Sequence, residues 1–233
     1  MRKIGLTGNQ LKLIALVTMT IDHMGMILFP HSLLLRIIGR LAFPIYAYMI
    51  AEGCRYTRSM PRYLGLLASV AAVCQGVYWV AMGSVYQCIL VTFSLAVCLI
   101  MLAKRAMQTQ KVYWYLALAA GIVGVFLITE ILPGLLPGTD FSVDYGFWGV
   151  FMPLLAFLPR ETWGQKLLFF GGMFILAIEQ YLGGGFTTQF WSALAIPILV
   201  AYNGKPGKLR MKWFFYIFYP AHMAFLYLLS FLI

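Results

Sequence analysis

Long apolar runs bounded by proline, glycine or charge fill almost the whole chain, at about residues 11–29, 33–53, 62–82, 86–103, 112–132, 144–159, 166–182, 187–202 and 213–232. Most approach the roughly 20 residues that an α-helix needs to cross a bilayer, and the sixth to eighth are the shortest. The pattern predicts an all-α, polytopic transmembrane helical bundle of about nine spans. It reads as a single integral membrane domain over residues 1–233, without linker, repeat or low-complexity tract. The first run follows Met1-Arg2-Lys3 as a secretory signal would. It has nearly full span length, however, and Leu28-Phe29-Pro30-His31 offers no small-residue cleavage site, so it reads as a retained helix.

The positions of the basic residues orient these spans. Arg2 and Lys3, then Arg55, Arg58 and Arg62, then Lys104, Arg105 and Lys111, then Arg160 and Lys166, then Lys205, Lys208, Arg210 and Lys212 fall in every second connection, and the intervening loops carry neither Lys nor Arg. The positive-inside rule then predicts a cytoplasmic N-terminus and an outward C-terminus, in a cell's inner or plasma membrane.

Composition agrees with this class. With 62% hydrophobic and 10% charged residues, the chain is far from soluble globular usage. The net charge of +10 is spread beside apolar runs instead of lying on one face, so it points to the lipid bilayer as partner and to no nucleic acid. Cys54, Cys74, Cys88 and Cys98 form no C-x-x-C pair, and the differing depths expected for Cys74 and Cys88 argue against a disulfide. They read as packing residues, and no metal site is expected.

Chemistry is sought among ionisable residues inside the spans, because burying one in hydrocarbon costs at least a few kcal/mol. At 1.5 Å per residue, Asp22 and His23 lie about 17 Å from the cytoplasmic end, with Arg40 near the same height, Glu179 at about 20 Å and His222 at about 14 Å. Lys12 precedes His23 by eleven residues and returns to nearly the same helix face, about three turns lower. Arg36 and Arg40 are spaced i, i+4 and share a face suited to an anionic group, although Arg36 is near enough to the outer surface to snorkel. Pro44 is expected to kink the second span and free carbonyls near the polar layer.

Two readings of this layer stand side by side. Asp22 with Arg40 is either an ion pair that locks the first hairpin or part of a site, and His23 and His222 are either hydrogen-bonded core histidines or proton-transfer groups. Adjacent residues on a straight helix point about 100° apart, so Asp22 does not orient His23 directly, and Arg40 is its expected partner. The aromatic residues of the last span, Trp213, Tyr216 and Tyr219 among them, suit packing and an interfacial belt.

Several stretches carry a family resemblance that covers nearly the whole chain. Leu11-Lys12, Met19-Thr20-Ile21-Asp22-His23-Met24-Gly25, Arg36-x-x-Gly39-Arg40-Leu41-Ala42-Phe43-Pro44-Ile45-Tyr46 and Ala51-Glu52-Gly53 resemble the TraX family, named for the protein that N-acetylates conjugative F-type pilin. So do Val143-Asp144-Tyr145-Gly146 through Gly149-Val150 and Pro153, Gln189-x-Trp191 through Ile196-Pro197 to Tyr202-Asn203-Gly204, and Lys212-Trp213-Phe214-Phe215-Tyr216-x-Phe218-Tyr219-Pro220-x-His222. The family is similar in turn to multi-pass acyltransferases of the acyltransferase-3 type, in which a basic residue followed by histidine at the spacing of Lys12-x10-His23 marks the active site.

The resemblance implies transfer of an acetyl group from cytoplasmic acetyl-CoA to an amine or hydroxyl acceptor in the envelope: a peptide, glycan or lipid, and in the named family the pilin N-terminus. In that reading His23 is the general base and Lys12 guides the donor, while Arg40 or Lys12 counters oxyanion charge and Asp22 and His222 complete the catalytic set. Arg36, Arg55, Arg58, Arg62, Lys212 and Tyr219 are the residues expected to bind the donor, the basic loops attracting its phosphates. The alternative from another class is a proton-coupled transporter or channel using buried Asp, His and Glu. Against it, the chain shows no internal repeat and no paired broken helices.

Overall fold

The computed structural model describes residues 5–158, 162–184, 187–208 and 211–232. Arg2, Lys3, Arg160, Arg210 and the side chain of Lys212 lie outside the described residues. The order is α1 (Gly8–Ile27), α2 (Leu33–Gly39), α3 (Ala42–Tyr56), α4 (Met60–Met82), α5 (Ile89–Thr109), α6 (Val112–Phe126), a π-helical turn Leu127–Ile131, α7 (Leu132–Leu135), α8 (Gly146–Phe157), α9 (Thr162–Leu182), a 3₁₀ segment Thr187–Leu194, α10 (Ala195–Val200) and α11 (Lys212–Ser230). Each apolar run of the sequence falls on helix, and no strand forms among the described residues, which hold only two isolated bridges.

Among the described residues, five helical stretches are long and apolar enough to cross a membrane: Leu33–Tyr56, Met60–Val80, Ile89–Thr109, Val112–Leu135 and Trp213–Ser230. Helix α1 has 20 residues but carries Asn9, Gln10, Lys12, Asp22 and His23 along its length, which lowers its hydropathy. By internal contacts the chain forms two compact units, Met1–Met49 with Met173–Ile233, and Ile50–Gly172. The chain leaves the first unit within α3 and re-enters it within α9.

In the first unit, α1 starts where its orphan N–H groups find partners. Thr7 and Gln10 form a reciprocal capping box, and the Gly8 and Asn9 amides donate to the Lys205 and Pro206 carbonyls at 2.7 and 3.0 Å. The Tyr202-Asn203-Gly204 turn builds this clamp: Asn203 donates from Nδ2 to the Gly5 carbonyl and accepts the Lys205 amide, each at 2.9 Å. The first residues of α1 and the 201–206 segment are therefore at the same end of the unit, and α1 runs beside α11 from there.

Helix α1 pairs with α2 through small residues. A Cβ on Gly25 would stand 2.8 Å from Leu35 Cβ, and one on Gly39 would overlap the Asp22 side chain. Only glycine allows this approach. The expected kink is present as a break at Arg40–Leu41, four residues before Pro44, because proline has no N–H for the Arg40 carbonyl and its ring crowds that carbonyl. Gly39→Ala is expected to displace Asp22 and lower the melting temperature of the purified protein, with a cost on the order of 1–3 kcal/mol. Gly76→Ala, on α4 with nothing within 4 Å of the added methyl, should leave the melting temperature equal or higher.

In the second unit, α5 is flanked by α4, α6 and α8. The loop after α4 is tied to the segment before α8. Asp140 accepts from Ser84 Oγ at 2.5 Å and from the Val85 amide at 2.8 Å, and its carboxyl is held below the usual carboxylate range by the Ser84 bond first and the Val85 bond second. Asp144 accepts from Tyr86 Oη at 2.7 Å. Helix α8 is capped at both ends by side chains: Glu130, on the π turn, accepts the Phe147 amide at 2.9 Å, and Arg55 donates to the last carbonyls.

Candidate active site

Helix α1 presents two adjacent polar residues in different directions, as a 100° step requires. Asp22 turns towards α2. Its carboxylate is shared by Arg40 Nη2, at 3.0 and 3.1 Å from its two oxygens, and by Arg36 Nη1 at 3.0 Å. Arg36 Nη1 also donates to the Asp22 carbonyl at 3.2 Å. The Asp22 and Arg40 side chains are 15% and 11% exposed and that of Arg36 is 30% exposed, so two guanidiniums face one carboxylate in a largely dry setting. The pairing of Asp22 with Arg40 is present, and Arg36, expected on the same face and as a donor-binding residue, is here on the Asp22 carboxylate.

His23 turns towards α11. Its Nδ1 is 2.7 Å from His222 Nε2, and His222 Nδ1 is 2.9 Å from the Phe218 carbonyl. Phe218 stacks on His222 with centroids 5.0 Å apart and planes 10° off parallel, while Tyr219 meets both imidazoles edge-on, 6.5 Å from His23 and 5.7 Å from His222. His222 and Tyr219 are buried. Lys12 lies on the same face of α1, with Nζ 5.8 Å from the centre of the Phe215 ring, also on α11, and no acidic partner among the described residues. From Lys12 to His23 the helix rises about 16 Å. One seam between α1 and α11 therefore holds Lys12 near the 201–206 clamp and the two histidines further along.

Glu179 is half-buried on the part of α9 that belongs to the first unit. Arg55, in the second unit, donates from Nη2 to the Ala156 and Phe157 carbonyls, both at 2.8 Å, and lies 3.8 Å from Glu52. Its guanidinium is committed to the end of α8. Arg58 and Arg62 are exposed, at the connection into α4 and in that helix's first turn, where a cation gains nothing from the helix dipole. His31 is exposed in the α1–α2 connection. Among the described residues no group of three or more His, Cys, Asp or Glu has metal-binding geometry.

Sequence reasoning missed Phe215 and Phe218. The signal was there: both lie within two turns of His222 on its own helix, and Phe218 is four residues before it, where a carbonyl meets a histidine ring. The fold and the seam define a helical membrane protein with a part-buried, hydrogen-bonded histidine pair. The chain belongs to the TraX family, whose model, described as TraX protein, matches residues 7–230. It is 25% identical to the probable fimbrial assembly protein FimC, serogroup H1, of Dichelobacter nodosus, across 97% of this chain and 96% of that protein. A shorter match, 47% identical over 38 residues, links it to an uncharacterised protein of Rickettsia prowazekii (strain Madrid E), covering 16% of this chain and 15% of that one. No solved structure matches it.

Proposed function

We propose that this protein is an acetyl-CoA-dependent acyltransferase of the cell inner membrane, a single domain that moves an acetyl group to an amine or hydroxyl acceptor in the envelope. The observation that carries the reading is the hydrogen-bonded His23–His222 pair, with His23 on the same α1 face as Lys12. A neutral imidazole can take the proton of an acceptor that attacks a thioester, and a lysine without an acidic partner among the described residues at the clamp end suits an anionic, elongated donor. The Lys12-x10-His23 spacing, similar to that of acyltransferase-3 enzymes, supports the same assignment. The assembly role in the name of the Dichelobacter nodosus relative favours a fimbrial or pilin-like acceptor. Arg40 or Lys12 counters the charge of an oxyanion.

The proposed topology has about nine spans, with the N-terminus cytoplasmic and the C-terminus outside. In a cysteine-free background, Lys208→Cys is expected to react with an impermeant maleimide only from the cytoplasmic side and His31→Cys only from outside. Labelling of both from one side removes this topology.

The function is tested by comparing envelope peptides, glycans and lipids from cells with and without the protein, by mass spectrometry. A species lacking an adduct of about 42 Da, the mass of an acetyl group, is the expected difference. An unchanged acetylation profile, together with no saturable acetyl-CoA binding by the purified protein, would overturn the reading, and solute flux driven by a pH gradient would favour a transporter. On the donor side, Arg58→Ala with Arg62→Ala is expected to raise the KM for acetyl-CoA several-fold with kcat nearly unchanged, because exposed charges act on ground-state attraction. An unchanged KM would assign these arginines to topology alone.

A further inference from the structure

The hydrogen bonds at the histidine pair assign its protons. A carbonyl only accepts, so the 2.9 Å contact to the Phe218 oxygen places a proton on His222 Nδ1. Neutral His222 then carries its lone pair on Nε2, and the nitrogen 2.7 Å away, His23 Nδ1, is the donor. His23 therefore keeps its own lone pair on Nε2. Two imidazolium rings would set N–H against N–H at that distance, so the pair holds at most one extra proton. The bonds as they stand describe the neutral pair, which is taken as the resting state.

We propose that the Phe218 carbonyl and His222 act in series as a tautomer lock and proton relay, which makes Nε2 of His23 the one basic atom of the pair. His222 is a positioning residue, its ring held by the stack on Phe218 and the edge of Tyr219. The catalytic consequence rests on the acyl-transfer reading. As the acceptor nitrogen or oxygen bonds to the acetyl carbonyl carbon, its proton passes to His23 Nε2, and the His23 Nδ1 proton shifts to His222 Nε2. The gained charge thus moves one ring away from Arg36 and Arg40. When the carbon–sulfur bond breaks, the shift reverses and His23 Nε2 returns the proton to the thiolate of CoA. The balance is acetyl thioester plus acceptor X–H to acetylated X plus free thiol.

The lock is read directly by NMR. The chain has three histidines, so full-length protein labelled with ¹⁵N-histidine and carrying His31→Gln shows only the pair. The expected spectrum has protonated Nδ1 and unprotonated Nε2 on both rings. In His222→Phe, His23 should lose this fixed tautomer and show the mixture of a free imidazole. A proton on His23 Nε2 in the resting protein, or an unaltered His23 tautomer in His222→Phe, overturns the proposal. If His222→Phe does not fold, the spectrum of the His31→Gln protein decides alone. The acyl-transfer reading fails separately: the stated tautomers with no acetyl-CoA turnover in native protein would leave the lock standing and remove its catalytic role.

Discussion

His23→Gln is expected to fold, reach the membrane and bind acetyl-CoA while losing acyl transfer by a factor of about 100 or more. The glutamine amide retains an N–H that can donate towards His222, so the α1–α11 seam keeps its contact, but no atom of the amide takes a proton at neutral pH. General-base contributions run from roughly 10² to 10⁴, so the loss is large or the assignment is wrong. His31→Gln, at an exposed position in the α1–α2 connection, is the matched control and should retain most activity. The measurement is turnover of radiolabelled acetyl-CoA by protein reconstituted at equal folded yield. A His23 variant that keeps more than about a tenth of native turnover excludes it as the base.

The second large effect is expected on stability. Asp22→Asn leaves Arg36 and Arg40 against a neutral amide, with the Arg40 side chain only 11% exposed. Removing one partner of a buried ion pair costs about 3–5 kcal/mol, most of it the penalty of stranding the remaining charge. The variant should therefore melt well below the native protein in the same detergent, or fail to accumulate. Asp22→Asn combined with Arg40→Met should recover much of the loss, because the stranded buried cation is then gone and Arg36 can reach the outer surface. Equal melting of native protein and Asp22→Asn would show that the cluster does not hold the first hairpin together.

Both experiments address one layer, but they separate its two halves. Asp22 faces α2 and its arginines, and His23 faces α11, so the ion-pair reading and the proton-transfer reading of the sequence are compatible and belong to neighbouring residues. A stability loss confined to Asp22 variants and an activity loss confined to His23 variants would express that division.

Helix positions were legible in the sequence, because the apolarity of a segment is a local quantity, and five of the described stretches also reach spanning length and apolarity. So was the pairing of Asp22 with Arg40, since rise per residue fixes depth along a span and two opposite charges at one depth in hydrocarbon seek each other. The spacing of Lys12 and His23 likewise fixed a shared face. What those quantities leave open is the rotation of each helix and the choice of neighbour, which depend on side-chain packing between segments far apart in the chain. Tertiary structure alone brought His222 to His23 across 199 residues, set Phe215 under Lys12 and drew Arg36 into the Asp22 cluster. It also gave Arg55 the carbonyls at the end of α8. Hydropathy determines that a residue is inside the membrane; which partner it meets there is decided by the glycines, bulky rings and capped helix ends that let particular helix faces approach.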